Sequence, residues 1–126
     1  MGVPAVVADN RITGICPNHL VPSGSGTAPA GPRPFSAPID KGTISSVEIG
    51  GKAAAVIGCS GTNDTGSHSG IVDGAFAAVS GQIGRITSGS PTVLIGGKMA
   101  ATLNSMATCC VVPGKLVPGV PTVLIG

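Results

Sequence analysis

Short apolar runs alternate with glycine-rich breaks along this chain, and one run recurs. Thr-Val-Leu-Ile-Gly-Gly-Lys occupies residues 92–98, Pro-Thr-Val-Leu-Ile-Gly residues 121–126, and a weaker copy, Ser-Val-Glu-Ile-Gly-Gly-Lys, residues 46–52. Val47 and Ile49 are two apart, so they share one face of a strand. A Gly-Gly pair between two such runs supplies the positive φ that a tight hairpin needs. The pattern therefore predicts hairpins over residues 43–57 and 92–103, a short strand over 83–86 and a last strand over 117–125. Residues 1–15 read as a lead-in strand, with Ala5, Val6 and Val7 ahead of a turn at Asp9-Asn10. Residues 22–38, 58–75 and 104–115 read as loops, the first because Pro and Gly break ladders there. Nothing holds a helical period, and residues 75–80, the one helical candidate, read as loop. The expected class is all-β with internal repeats. A single hairpin cannot stand alone. Three hairpins stacked about an axis bury their alternate faces together, as a small pseudo-threefold pyramid with Gly turns at one level and loops at another.

Composition narrows this picture. The chain has 126 residues, enough for one domain over residues 1–126, with 21 Gly, 11 Pro, two Phe and neither Trp nor Tyr. Ala, Val and Ile must supply the core, which suits a thin, tightly wound β-structure. A core so lean points to reinforcement by a metal, disulfides or a partner. Seven basic and five acidic residues are scattered, with no basic stripe or aromatic ladder, which excludes nucleic acid as a partner. The first residues lack a basic stretch, and Asp9, Asn10 and Arg11 interrupt the apolar run, so no signal peptide is expected. No apolar run reaches the roughly 18 residues of a membrane span. The expectation is a protein made in the cytoplasm that does not leave by the ordinary secretory route.

The polar chemistry gathers in the loops. Cys16 and His19 lie in Cys-Pro-Asn-His, Cys59 and His68 bracket the second loop, and Cys109-Cys110 sit in the third. A cytoplasmic start favours thiols or metal ligands over disulfides. In a pseudo-threefold stack these loops would converge, and zinc takes four Cys or His ligands. Such a site would tie together a structure without a large core. Buried cysteines also serve as small apolar residues, and the spacing alone leaves both readings open. A paired Cys-x2-Cys is absent, which removes the zinc ribbon and the thioredoxin-type site. Gly-Gly-Lys is followed by Met99 in one copy and Ala53 in the other, not Ser or Thr, so phosphate binding is rejected. A Cys–His pair could in principle serve a small zinc- or thiol-dependent enzyme, the principal alternative.

Taken together, the repeats and ligands resemble the PAAR-domain family. Gly-Ser-Pro-Thr-Val-Leu-Ile-Gly-Gly-Lys-Met-Ala-Ala (residues 89–101) is similar to that family's repeat, as are Val-Glu-Ile-Gly-Gly-Lys-Ala-Ala-Ala (47–55) and the final Pro-Thr-Val-Leu-Ile-Gly. His-Leu-Val-Pro (19–22) and Pro-Phe-Ser-Ala-Pro (34–38) resemble phrases of PAAR-like tip proteins from extracellular injection particles. The literal Pro-Ala-Ala-Arg is replaced by Ala53-Ala54-Ala55 and Ala100-Ala101. The resemblance implies a sharp β-cone with a structural zinc near its apex. It implies a non-enzymatic tip on the trimeric spike of a contractile injection machine, such as a type VI secretion system, a phage tail or a phage-tail-like particle. One tip chain would cap each trimer, touch the target membrane transiently and leave room for an effector cargo. Nothing appended after Gly126 implies a bare tip. The implied metal ligands are His19, His68 and Cys109, with Cys16 as the fourth and Cys59 or Cys110 as substitutes.

Overall fold

The computed structural model describes residues 2–110 and 112–126; Met1 of the lead-in strand and Val111 of the third loop lie outside them. The chain makes three rounds. In the first, β1 (Val3–Ala5) lies near an axis, β2 (Arg11–Cys16) runs away from it, a hairpin of β3 (Leu20–Ser23) and β4 (Gly26–Pro29) stands at the far end, and β5 (Arg33–Pro38) returns. The second opens with a hairpin of β6 (Ile44–Ile49) and β7 (Lys52–Ala54). It runs out through β8 (Ser60–Thr62), crosses two 3-10 turns (Gly74–Ala77 and Val79–Gly81) and returns through β9 (Ile83–Ile86). The third opens with a hairpin of β10 (Leu94–Ile95) and β11 (Lys98–Met99), runs out through β12 (Ala107–Cys109) and returns through β13 (Val112–Val117). β14 (Val120–Ile125) then pairs antiparallel with β1, Val3 opposite Ile125 and Pro4 opposite Leu124. The two ends of the sequence thus build the third hairpin, split where the other two carry Gly50-Gly51 and Gly96-Gly97. Those four glycines all have positive φ, from 59 to 83°, a conformation that side chains with a Cβ rarely adopt.

The repeat becomes threefold through backbone hydrogen bonds. Val6 N–H donates to Ala101 O at 3.1 Å, Ala101 N–H to Ala55 O at 3.0 Å, and Ala55 N–H to Val6 O at 3.0 Å, closing a ring. A second ring follows, with Ala8 N–H on Ala53 O, Ile57 N–H on Met99 O and Leu103 N–H on Pro4 O, at 2.8 to 3.1 Å. Ala5, Ala54 and Ala100, at matching places, are each 0% exposed. Three strands can approach one axis this closely only with small side chains, which is why alanine fills these positions. Each round then turns on a matched side chain. Asn10 Oδ1 accepts from Val7 N–H, Cys59 Sγ from Val56 N–H and Ser105 Oγ from Thr102 N–H, at 3.0 to 3.3 Å.

The outward and returning strands form one six-stranded sheet in the order β5-β2-β13-β12-β9-β8. It curls until its two edges meet: Ser36 accepts from Asp64 N–H at 3.1 Å, and Ser60 O accepts from Asp40 N–H at 3.1 Å. The fold is all-β, with alternate side chains such as Ile12, Phe35, Ala37 and Ile86 packed inside. Three expected loops hold regular structure instead. β5 falls in the Pro-rich stretch, β8 in the second loop, and β12 and β13 in the third. β5 tolerates Pro34 and Pro38 because residues 35, 37 and 39 face β2, where Ile39 N–H bonds Asn10 O. The prolines point their missing donors to the seam side, where Ser36 between them makes the bonds, its O accepting from Asp64 N–H and its N–H donating to Asn63 Oδ1.

At the seam, a methyl group on Gly61 would overlap the Pro38 carbonyl oxygen. Gly61→Ala is expected to cost more than about 3 kcal/mol. Gly26→Ala, in open space at a negative φ, is expected to be close to neutral. Thermal or urea unfolding of the two variants checks this.

Candidate metal centre

The three connections opposite the Gly-Gly turns come together. Cys16 closes β2, His19 follows three residues later, His68 lies between β8 and the 3-10 turns, and Cys110 sits in the short link between β12 and β13. One ligand atom from each of these four residues lies within 4.8 Å of the others, and all four residues are buried. The group joins all three rounds of the chain at one end of the sheet.

Each histidine turns its Nε2 inward and its Nδ1 toward polar partners outside the cluster. His19 Nδ1 lies 2.8 Å from Asp73 Oδ2. A carboxylate only accepts, so Nδ1 carries the proton and Nε2 keeps its lone pair. That Nε2 is buried and has no hydrogen-bond partner, and a buried polar atom left alone in a native fold calls for an explanation. His68 Nε2 lies 3.9 Å from Cys110 Sγ. Its Nδ1, on the side away from Cys110, is 3.0 Å from Ser67 Oγ, which donates to the Pro34 carbonyl. Asn63 Nδ2, 3.2 Å from the same nitrogen, donates to Gln82 Oε1 at 2.9 Å. The loop is further pinned by Arg33, which donates to Ser67 O and Ser69 O, and by a bidentate Arg11–Asp64 pair at 2.7 and 2.9 Å.

The electrostatics suit a cation. Burial, with His19 and Arg33 nearby, pushes His68 down and favours the neutral ligand form. Burial pushes the Cys16 thiol up to about 12, with Cys110 adding to the rise, and pushes Cys110 up to about 11. Burial raises Asp73, but hydrogen bonds from His19 and the Leu20 N–H outweigh it and leave the carboxyl below its usual range. Two imidazole nitrogens and two sulfurs at this spread match the donor set of structural zinc, with bonds of about 2.0–2.3 Å. The residues fit the metal.

Cys109 lies outside this group, and Cys110 stands where the sequence reading placed Cys109. Alternation along the strand is the reason. Cys109 belongs to β12, paired with Gly84 and Val112, and its sulfur sits inside the sheet against Gly14 and the Pro113 carbonyl. Cys110 lies past the strand end at φ +50°, a conformation unusual for a residue with a Cβ, of the kind that collects at functional sites. Cys59 is elsewhere again, spent on the Val56 N–H. Sequence reasoning missed Asp73, Ser67 and Asn63, because a lone Asp or Ser in a Gly-rich loop reads as turn chemistry.

Residues 79–126 match the PAAR motif family. Of the four clustered residues only Cys110 lies within that match, so the other three extend the site beyond the motif. Neither the curated proteins nor the solved structures give a match to the chain.

Cys59 does at its turn what Ser105 and Asn10 do at theirs, so Cys59→Ser should leave stability nearly unchanged. Cys59→Val, which removes the acceptor, should cost about 1–2 kcal/mol. Chemical denaturation of both variants reads the difference.

Proposed function

We propose that this PAAR-motif protein is a non-enzymatic tip that caps the trimeric spike of a contractile injection machine, one chain per trimer. The observation that carries the reading is the closed threefold ring of backbone bonds made by a single chain. Such a chain offers three similar faces to three identical partners. The level of the Gly-Gly turns is the docking end. Ile49, Ile95 and Ile125 turn inward there at 7–8% exposure, while Leu94 and Leu124 turn outward at 63% and 58%. Glu48 stands where the third leucine would be. Capping covers spike strand edges that would otherwise invite aggregation.

At the other end, Cys16, His19, His68 and Cys110 hold a structural zinc. The metal supplies a cross-link among the three connections, and the chain's residues supply rigidity around it. The narrow end then transmits the driving force to the target envelope without deforming. A catalytic role finds little room. The cavity beside the cluster, lined by Asn18, Asp73, Phe76 and Val112 among others, is about 70 Å³, against at least roughly 300 Å³ for a small-molecule site. Residues 1–126 act as one tip domain, made in the cytoplasm and delivered with the spike. Among the described residues no helix is long and apolar enough to cross a membrane.

Elemental analysis should find about one zinc per chain. Cys110→Ser should lose it and Cys109→Ser should keep it. Metal retained by the first variant and lost by the second would overturn the ligand set. Leu94→Glu with Leu124→Glu should keep the zinc but lose co-purification with the trimeric spike. Retained co-purification would place the docking surface elsewhere.

A further inference from the structure

Asp73 belongs to none of the strands, yet both of its carboxylate oxygens are engaged beside the cluster. Its Oδ2 takes the proton-bearing Nδ1 of His19 at 2.8 Å, and its Oδ1 accepts from Leu20 N–H at 3.1 Å. One residue earlier, Val72 N–H donates to Leu20 O at 2.9 Å. Two residues of the second connection therefore clamp two consecutive residues of the first from both sides. Phe76, on the same segment, stands edge-on to the His19 ring at 5.0 Å, and Gln82 holds the Phe76 carbonyl at 2.8 Å. His19 is 3% exposed, and its ring can neither turn over nor slide without breaking this set.

We infer that Asp73 is a positioning residue that fixes His19 in the Nδ1–H tautomer, so that the Nε2 lone pair faces the cluster. This rests on the metal reading above and adds a residue to it. The inference needs the carboxylate itself, because only a group that cannot donate forces the imidazole proton onto Nδ1. A side-chain amide in the same place would use its oxygen on Leu20 N–H and turn its N–H toward Nδ1. The imidazole would then accept at Nδ1 and carry its proton on Nε2, where a metal could not bind. A purely structural role makes the opposite prediction, because the amide keeps the shape and the Leu20 bond and should be milder than truncation.

The test compares wild type with Asp73→Ala and Asp73→Asn, using zinc alone as the probe and a chromogenic chelator as competitor. Asp73→Ala is expected to bind zinc about 10–100-fold more weakly, the usual effect of losing such a partner. Asp73→Asn is expected to bind at least as weakly as Asp73→Ala. Zinc affinity of Asp73→Asn equal to wild type would overturn the inference. A second readout does not depend on metal: imidazole nitrogen NMR of the metal-free proteins reports the His19 tautomer. It should be Nδ1–H in wild type and Nε2–H in Asp73→Asn. An Nε2–H tautomer in wild type would refute the positioning role. If wild type binds no zinc but shows the tautomer switch, the metal reading fails while the role of Asp73 stands.

Discussion

Three peptide groups pass hydrogen bonds around one axis, Val6 to Ala101 to Ala55 and back, and the rest of the molecule follows from that ring. Its closure requires three strands within backbone contact of each other. That requirement selects alanine at residues 5, 54 and 100, rules out a bulky aromatic centre and explains a composition with two Phe and no Trp or Tyr. Three approaching strands also set three directions of departure. Each is taken by a turn capped by a side chain (Asn10, Cys59 or Ser105) and then by a strand of the six-stranded sheet. Three different acceptor atoms at one geometric position indicate that the geometry is the requirement and the residue type secondary.

Among the described residues the far end shows no such backbone ring. The connections there differ: residues 17–32 in the first round and 63–82 in the second, against the short step from β12 to β13 in the third. Unequal loops cannot repeat each other's hydrogen bonds, so side chains must hold them together. Arg11 and Arg33 fasten the second connection to the first round. Asp73 fastens it again beside His19. Cys16, His19, His68 and Cys110 then offer a donor set that a single cation can unite. A symmetric backbone ring at one end and an asymmetric ligand cluster at the other divide the work of closing a thin structure.

Much of the first half of this design is legible in the sequence. The Val-x-Ile-Gly-Gly-Lys repeats state the hairpins and their turns, and the small residues after them state a close approach. The strands hidden in the loops were not legible, for physical reasons. Pro34 and Pro38 weaken the strand signal of β5 because the bonding pattern of a curled sheet, which decides whether a missing donor matters, is a long-range fact. The third repeat is split between β14 and β1, so its two strands lie at opposite ends of the sequence. At the site, the clustering of soft ligands in the loops could be read. Which of two adjacent cysteines faces the cluster could not, since it depends on where β12 ends and on a positive φ at Cys110.

The two closures make separate claims about rigidity, and hydrogen exchange of the zinc-loaded protein before and after chelation separates them. The amides of Val6, Ala55 and Ala101 should stay protected when metal is removed, while those of Leu20 and Val72, which close the clamp beside the cluster, should exchange faster. Loss of protection at all five amides together would contradict the account, since the ring would then depend on the metal rather than stand on its own.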